Sequence, residues 1–474
     1  MLFCSLDYAL FFATVLALYW ACPRPRVRVY LLLAASLYFY ARWNRWLAVL
    51  IAASSTADYA VGLGIEASTS ARVRKGLLVS SLAANIGMLA AFKYANFFLG
   101  SLEAALLACG ARAPMPVLRV VLPVGISFYT FEAINYTVDV YRGRARAERD
   151  LARFVLFVTF FPHLVAGPIV RARDFLPQVG RALRWDWARA ELGAGLFLMG
   201  LFKKLAIADR MALYVDPVFA RPEAFGTGAA WVATVAYAIQ IYCDFSGYTD
   251  MALGSAHLLG YKLAPNFRMP YLAANVGEFW RRWHISLSTW LRDYLFISLG
   301  GSRGTAARTA RNLLITMTLG GLWHGASWTF VAWGALHGLA LVVHRGFRSF
   351  CRARPPLDEA LSTPAGTAAR VGLTFLTVAV GWVFFRATTF AGAASVLRRL
   401  FVPHGGAGPP LPTGAFWALL AVVALAHAAG SRPGWRAVSA RLPAPALGLG
   451  YAAALTLALL LAPGVGNPFI YFQF

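Results

Sequence analysis

The sequence predicts an all-helical, polytopic integral membrane protein, and three observations carry that reading. Of 474 residues, 59% are apolar and only 14% charged, where a soluble globular chain carries roughly 25% charged residues. Apolar stretches close to the ~20 residues needed to cross about 30 Å of hydrocarbon recur along the chain. The cations gather in the short connections between them: Arg24, Arg26 and Arg28; Arg72, Arg74 and Lys75; Arg142 to Arg153; Arg171 to Arg189; Arg303 to Arg311; Arg345 to Arg354.

The clearest stretches run over 6–21, 47–63, 77–99, 117–138, 192–208, 229–259, 313–343, 371–385, 415–429 and 447–462. Shorter ones at 30–41 and 154–165 bring the expectation to about 10 to 13 membrane-embedded helices. The first stretch has no basic region before it and arginines after it, so it reads as a retained helix, not a cleaved signal, with the chain starting outside. No long hydrophilic stretch or internal repeat divides the sequence. A single membrane domain over 1–474 is expected, with polar and aromatic residues concentrated in a core of about 121–350.

The net charge of +24 would suggest nucleic acid in a soluble protein. Here the cations sit where the positive-inside rule puts cytoplasmic loops, facing anionic lipid headgroups, so lipid and not nucleic acid is the expected partner. Five cysteines (Cys4, Cys22, Cys109, Cys243 and Cys351) show neither metal-ligand spacing nor an even framework, which points away from disulfides and structural zinc.

Glycine and proline interrupt the core at LPVGISFYTF, FPHLVAGPI, KLAPNFRMPY and SLGGSRG. At membrane depth, broken helices are tolerated only where the freed backbone is buried in protein or lines a wet cavity. SLGGSRG suits a surface loop; for FPHLVAGPI both readings stand.

Two histidines are the first candidates for chemistry, because an ionisable ring in an apolar setting needs partners or a task. His324 follows the run NLLITMTLGGLW, with Gly320, Gly321, Gly325 and Ala326 permitting close approach of a backbone or a substrate. Apolar surroundings favour its neutral form, the state a general base needs; a packed core histidine is the plainer alternative. Taken as one helix, Gly277 to Tyr294 places Phe279, Trp283, Leu287, Trp290 and Tyr294 on one stripe and Arg281, His284, Ser288 and Arg292 on another. Such a helix either lies at the interface or turns its polar stripe into a cavity. His163 reads as shaping a pore mouth, and His257, His337 and His344 as structural. Glu132, Asp139, Asp244, Asp250 and Glu278 are expected to neutralise arginines. No nucleophile elbow, phosphate loop or zinc-protease motif occurs.

The strings LPVGISFYTFEAINYTVDVYRG, FFPHLVAGPIVR, DFSGYTDMALGSAHLLGYKLAPNFRMPY, EFWRRWHISLSTWLRDYLFISLGGSR, LGGLWHGASWTFVAWGALHG, GWVFFRA and PFIYFQF together resemble the membrane-bound O-acyltransferases. The likeness is greatest to the bacterial branch that acetylates alginate and related polysaccharides. That resemblance implies a ring of helices around a central tunnel, with His324 and His284 as the catalytic pair. Trp283, Asp293, Tyr294 and Asn266 become secondary candidates for lining the tunnel, against a packing role. It also implies an acyl thioester donor, acetyl-CoA or carrier-bound, arriving from the cytoplasm, with no bound cofactor or metal. The acceptor would be a polysaccharide hydroxyl, reached with extracytoplasmic relay or acetyltransferase proteins, and the location the bacterial inner membrane. His324 would act as general base or as an acylated nucleophile. DYLFISLGG departs from the family pattern at Phe296 and Ser298. A polytopic transporter or flippase is the alternative reading, against which no paired halves with matching broken helices are visible.

Overall fold

The computed structural model describes residues 1–118, 120–165, 167–432, 443–462 and 469–470; of the PFIYFQF motif only Phe469 and Ile470 lie within it. Among the described residues every regular element is helical. Six helices are long and apolar enough to cross a bilayer: Arg45–Ala67, the continuous Ala71–Ala108, Trp328–Arg352, Pro364–Arg386, Thr413–Gly430 and Ala444–Leu461. Shorter apolar helices occupy Leu6–Ala21 and Leu151–Leu164. This is a multi-pass membrane protein, and its outward leucines agree: Leu373, Leu425 and Leu449 are all exposed, as side chains facing hydrocarbon should be.

The expected 10 to 13 membrane-embedded helices also included shorter ones such as Leu6–Ala21 and Leu151–Leu164, and two apolar stretches are interrupted. The stretch 117–138 becomes helical only at Ile126, and 313–343 folds back on itself at Gly325. The chain divides into two compact units, 1–197 with 249–264, and 198–248 with 265–474.

The first unit contains α1 (Leu6–Ala21), α2 (Pro25–Ala41), α3 (Arg45–Ala67), α4 (Ala71–Leu89), α5 (Ala95–Ala108), α6 (Ile126–Tyr141), α7 (Leu151–Thr159), α8 (Phe161–Leu164) and α9 (Ala172–Phe175). Ser5, Asn44, Ser70 and Asp150 cap α1, α3, α4 and α7 by accepting backbone N–H bonds, the usual reason a helix begins at such residues. Helix α6 is buried from Ile126 through Val140. A Cβ on Gly62 of α3 would lie 2.5 Å from the Tyr136 hydroxyl of α6, so α3 and α6 need that glycine. The Asp58 carboxylate ties α3 to α4, accepting from Ser81 Oγ at 2.6 Å and Asn85 Nδ2 at 2.9 Å.

FPHLVAGPI is α8 followed, among the described residues, by largely buried irregular backbone. Glu132 accepts from Val170 N at 2.9 Å, Asn135 donates to Val170 O at 2.9 Å, and Ser36 Oγ accepts from Phe161 N at 3.1 Å. His163 Nδ1 lies 3.1 Å from Glu132 Oε1. Its freed polar groups are met by side chains, as burial demands.

Helices α10 (Trp187–Phe202) and α12 (Thr227–Leu258) contribute to both units, with α11 (Asp209–Ala220) in the second. Next in the second unit come α13 (Val276–Arg282), α14 (Ile285–Trp290), α15 (Ala306–His324), α16 (Trp328–Arg352), α17 (Pro355–Ser362), α18 (Pro364–Arg386), α19 (Phe390–Phe401), α20 (Thr413–Gly430) and a further helix, Ala444–Leu461. Helices α15 and α16 form a tight hairpin. A Cβ on Gly321 would meet Phe330 O at 2.2 Å, and one on Gly334 would meet Met317 O at 2.3 Å. The two backbones therefore touch at glycines.

Asp244 departs from the expectation that arginines would neutralise the carboxylates. Lys204 Nζ sits 2.8 Å from both Asp209 Oδ1 and Asp244 Oδ1, and Asp244 Oδ2 accepts from Ile470 N at 2.7 Å. Glu132 meets a histidine. Glu278 does pair with an arginine, Arg282, at 2.6 Å.

Candidate active site

Gly277 to Tyr294 is not one helix. Chain direction changes at Trp283 and His284, and His284 takes left-handed backbone angles, φ 41° and ψ 56°, a conformation unfavourable for a residue with a Cβ and tolerated when surroundings impose it. The surroundings here are the loop through KLAPNFRMPY. Asn266 O accepts from Ile285 N at 2.9 Å and Arg268 N donates to Arg282 O at 2.9 Å, lacing the loop along the break.

Asn266 then orients the histidine. Its Oδ1 accepts from Ser286 N at 3.1 Å and Ser286 Oγ at 2.9 Å, and stands 3.1 Å from His284 Nδ1. An oxygen that accepts from a backbone N–H cannot donate, so Nδ1 carries the ring hydrogen and Nε2 the basic lone pair. Phe245 packs edge-on against the same ring at 4.7 Å between centroids. His284 is fully buried.

His324 ends α15, and the hairpin turn follows at once. A Cβ on Gly325 would lie 2.2 Å from the Phe330 ring, and Ser327 caps α16 through Thr329 N at 3.3 Å. The imidazole stands perpendicular to Trp333 at 5.1 Å, with Phe385 at 5.3 Å and Trp323 at 5.0 Å. The His284 and His324 ring centroids are 6.3 Å apart.

Next to His284 in the chain, at Ile285, opens a cavity of about 1170 Å³ lined by Arg268, Arg281, Arg282, Arg292 and Arg432, by Trp280, and by Ile285, Ser288 and Thr289 of α14. Of the polar stripe, Arg281, Ser288 and Arg292 face this cavity and His284 lies behind it. Glu278 engages Arg282 and Asp293 engages Arg292 at 2.7 Å. Among the described residues no carboxylate lies within 4 Å of the Arg268, Arg281 or Arg432 guanidinium groups.

The structure therefore separates the sequence candidates by task. Asn266 holds His284, Asp293 holds Arg292, and Trp283 packs between Phe267 at 5.1 Å and Trp382 at 5.0 Å. Tyr294 packs on Trp290 at 5.2 Å. None of these four lines the cavity. Trp280, Trp333, Trp382 and Phe385 were not singled out from sequence, although the i, i+4 spacing of Trp333 and His337 on α16 puts both on one face.

Comparison with known proteins gives the chemistry its class. Residues 119–380 match the model of the membrane-bound O-acyltransferase family, and the chain belongs to that family. It is 46% identical to the probable alginate O-acetylase AlgI of Azotobacter vinelandii, over 83% of this chain and 76% of that protein. It is 36% identical to the peptidoglycan O-acetyltransferase of Helicobacter pylori, over 79% of this chain and 74% of the relative. The teichoic acid D-alanyltransferase of Streptococcus thermophilus is 30% identical over 47% of this chain and 56% of its own length. The chain is an acyltransferase, which sets the transporter reading aside.

Proposed function

We propose that this enzyme moves an acetyl group from a cytoplasmic thioester donor to a hydroxyl of an exported polysaccharide, with alginate the leading acceptor. The observation that carries the reading is an arginine-lined cavity that reaches Ile285, next to His284, together with the pair of buried histidines. A thioester on coenzyme A or on a carrier's phosphopantetheine brings phosphates. Guanidinium groups without carboxylate partners suit them, and the positive-inside rule assigns such a mouth to the cytoplasm. Alginate enters through the 46% identity to the A. vinelandii protein. Extracytoplasmic acetyltransferase or relay proteins would receive or deliver the acyl group, and a helix ring around a tunnel would join the two sides of a bacterial inner membrane.

In this mechanism neutral His324 takes the hydroxyl proton as the oxygen attacks the thioester carbonyl. The carbon–sulfur bond then breaks and the proton returns to the departing thiolate, leaving an ester and a thiol. His284, basic at Nε2, is the second group able to carry that same proton on its way from the hydroxyl to the thiolate.

His324→Ala tests the assignment. Acetyl ester on the polymer, measured in cells carrying the variant as their only copy, should fall by at least ~10³-fold with membrane abundance unchanged. Wild-type acetylation in that strain would sink it. Acetyl found on peptidoglycan but not on alginate would keep the mechanism and move the acceptor.

A further inference from the structure

Between the arginine-lined cavity and His324 the structure holds a set of polar side chains with nothing to bind. His337, on α16 one turn beyond Trp333, is fully buried, and neither ring nitrogen has a hydrogen-bond partner among the described residues. Trp280 Nε1 and Trp333 Nε1, in residues 8% and 1% exposed, also lack partners among the described residues. These three rings touch: His337 meets Trp280 edge-on at 5.2 Å and Trp333 at 4.9 Å. Trp280 lines the cavity, and Trp333 stands against His324. Gly381 packs against the His337 ring, since a Cβ there would sit 3.1 Å from Nε2.

Each orphaned buried donor or acceptor destabilises a fold. Native proteins rarely retain several together unless a water or a ligand meets them. A neutral imidazole offers one donor and one acceptor, and each indole one donor. This row of three donors and one acceptor suits a narrow chain bearing carbonyl oxygens and an N–H. Both thioester sources proposed above share such a chain, the amide-bearing pantetheine arm.

We propose that His337, with Trp280 and Trp333, is a donor-binding subsite that holds the pantetheine amides and aims the thioester at His324. This rests on the acyl-transfer reading of the preceding subsection. His337 is a binding residue here, and the proton-transfer role stays with the other histidines.

The test uses the full chain in membrane vesicles with its polysaccharide acceptor. Acetyl transfer is followed from acetyl-CoA and from acetyl-pantetheine, which keeps both amides and the thioester but has no phosphate. His337→Phe preserves ring volume and removes both nitrogens. The KM for both donors should rise roughly tenfold, the loss of one hydrogen bond in a dry site, while the melting temperature in detergent holds or rises because orphaned polar atoms are gone. His337→Gln, with a donor and an acceptor, should recover most of that loss.

Unchanged KM in His337→Phe would overturn the subsite, and so would a lower melting temperature with KM unchanged, the signature of a ring that only packs or holds a buried water. A defect confined to acetyl-CoA would place the contact at the nucleotide and also overturn it. Should His337→Phe fail to accumulate, Trp280→Phe carries the same expectation and the same refutation. If wild-type membranes use only an acetylated carrier protein, the same variants are compared with that donor, and an unequal KM again supports the subsite. Wild-type membranes inactive with all three donors would instead defeat the acetyl-transfer reading.

Discussion

Each unit contains an interrupted helical segment with a buried histidine, and the two histidines have different partners. In the first, His163 stands at ion-pair distance from Glu132, whose Oε1 also accepts from Val170 N. In the second, His284 faces the amide oxygen of Asn266, which also accepts from Ser286 N and Oγ. The Glu132 oxygen meets both its histidine and a backbone N–H and so helps weld the break. An amide orients the ring without asking it to be charged, so the imidazole keeps a lone pair for chemistry. The difference separates a histidine that builds the fold from one placed to react.

The largest effect that can break this contrast is expected at Glu132. Glu132→Ala removes the acceptor for a buried backbone N–H and the partner of His163 Nδ1, a loss of about 1–3 kcal/mol for each orphaned buried group. Folded protein in the membrane should fall sharply, measured by abundance and thermal unfolding in detergent. A variant that accumulates normally yet cannot acetylate would move His163 into the reacting machinery and erase the distinction.

Asn266 gives the next effect, on rate more than on folding. Asn266→Ala orphans Ser286 N–H, worth about 1–3 kcal/mol, and frees a ring in a left-handed backbone. Misplacement by ~1 Å reduces turnover on the order of 100-fold. Asn266→Asp sharpens the comparison because it gives His284 the kind of partner that His163 has. The carboxylate favours the protonated ring, so transfer should be slow near pH 7 and recover as pH rises and the ring gives up its proton. A pH profile for Asn266→Asp that overlays the wild type would show that the charge state of His284 is irrelevant.

How far the sequence carried this picture follows from the same residues. The buried stripe of Phe279, Trp283, Leu287, Trp290 and Tyr294 was legible from spacing, and all five are buried. The break through the middle of that stripe was not. Trp283 and His284 carry no glycine or proline signal, and the left-handed turn is imposed by Asn266, eighteen positions away. His324 stood out because glycines surround it, and those glycines prove to be where α15 and α16 meet. His337 read as structural because a lone histidine in an apolar helix usually is; its unmet nitrogens are visible only once Trp280 and Trp333 are folded around it. The apolar run 313–343 reads as one stretch but holds parts of two helices, because hydropathy does not register the turn between His324 and Trp328.

The smallest expected effect concerns arginines, and each unit supplies a cavity for it. In the first, about 370 Å³ is lined by Arg146, Arg149, Arg153 and Arg173. Arg149 pairs with Glu66, Arg153 lies 3.9 Å from Glu148, and Arg173 lies 3.9 Å from Asp139, so much of that positive charge is answered within the protein. In the second, Arg268, Arg281 and Arg432 face a larger space without such partners. If the second cavity draws in a phosphate-bearing donor, Arg268→Gln and Arg432→Gln should each raise the KM for acetyl-CoA about two- to fivefold, the ~0.5–1 kcal/mol of a solvent-screened charge. Their kcat should hold, and the difference from wild type should shrink as salt is added. Arg153→Gln, in the first unit, should leave KM where it was. A matching rise in that variant would mean that net charge, and not the placement of unanswered guanidinium groups, governs donor capture.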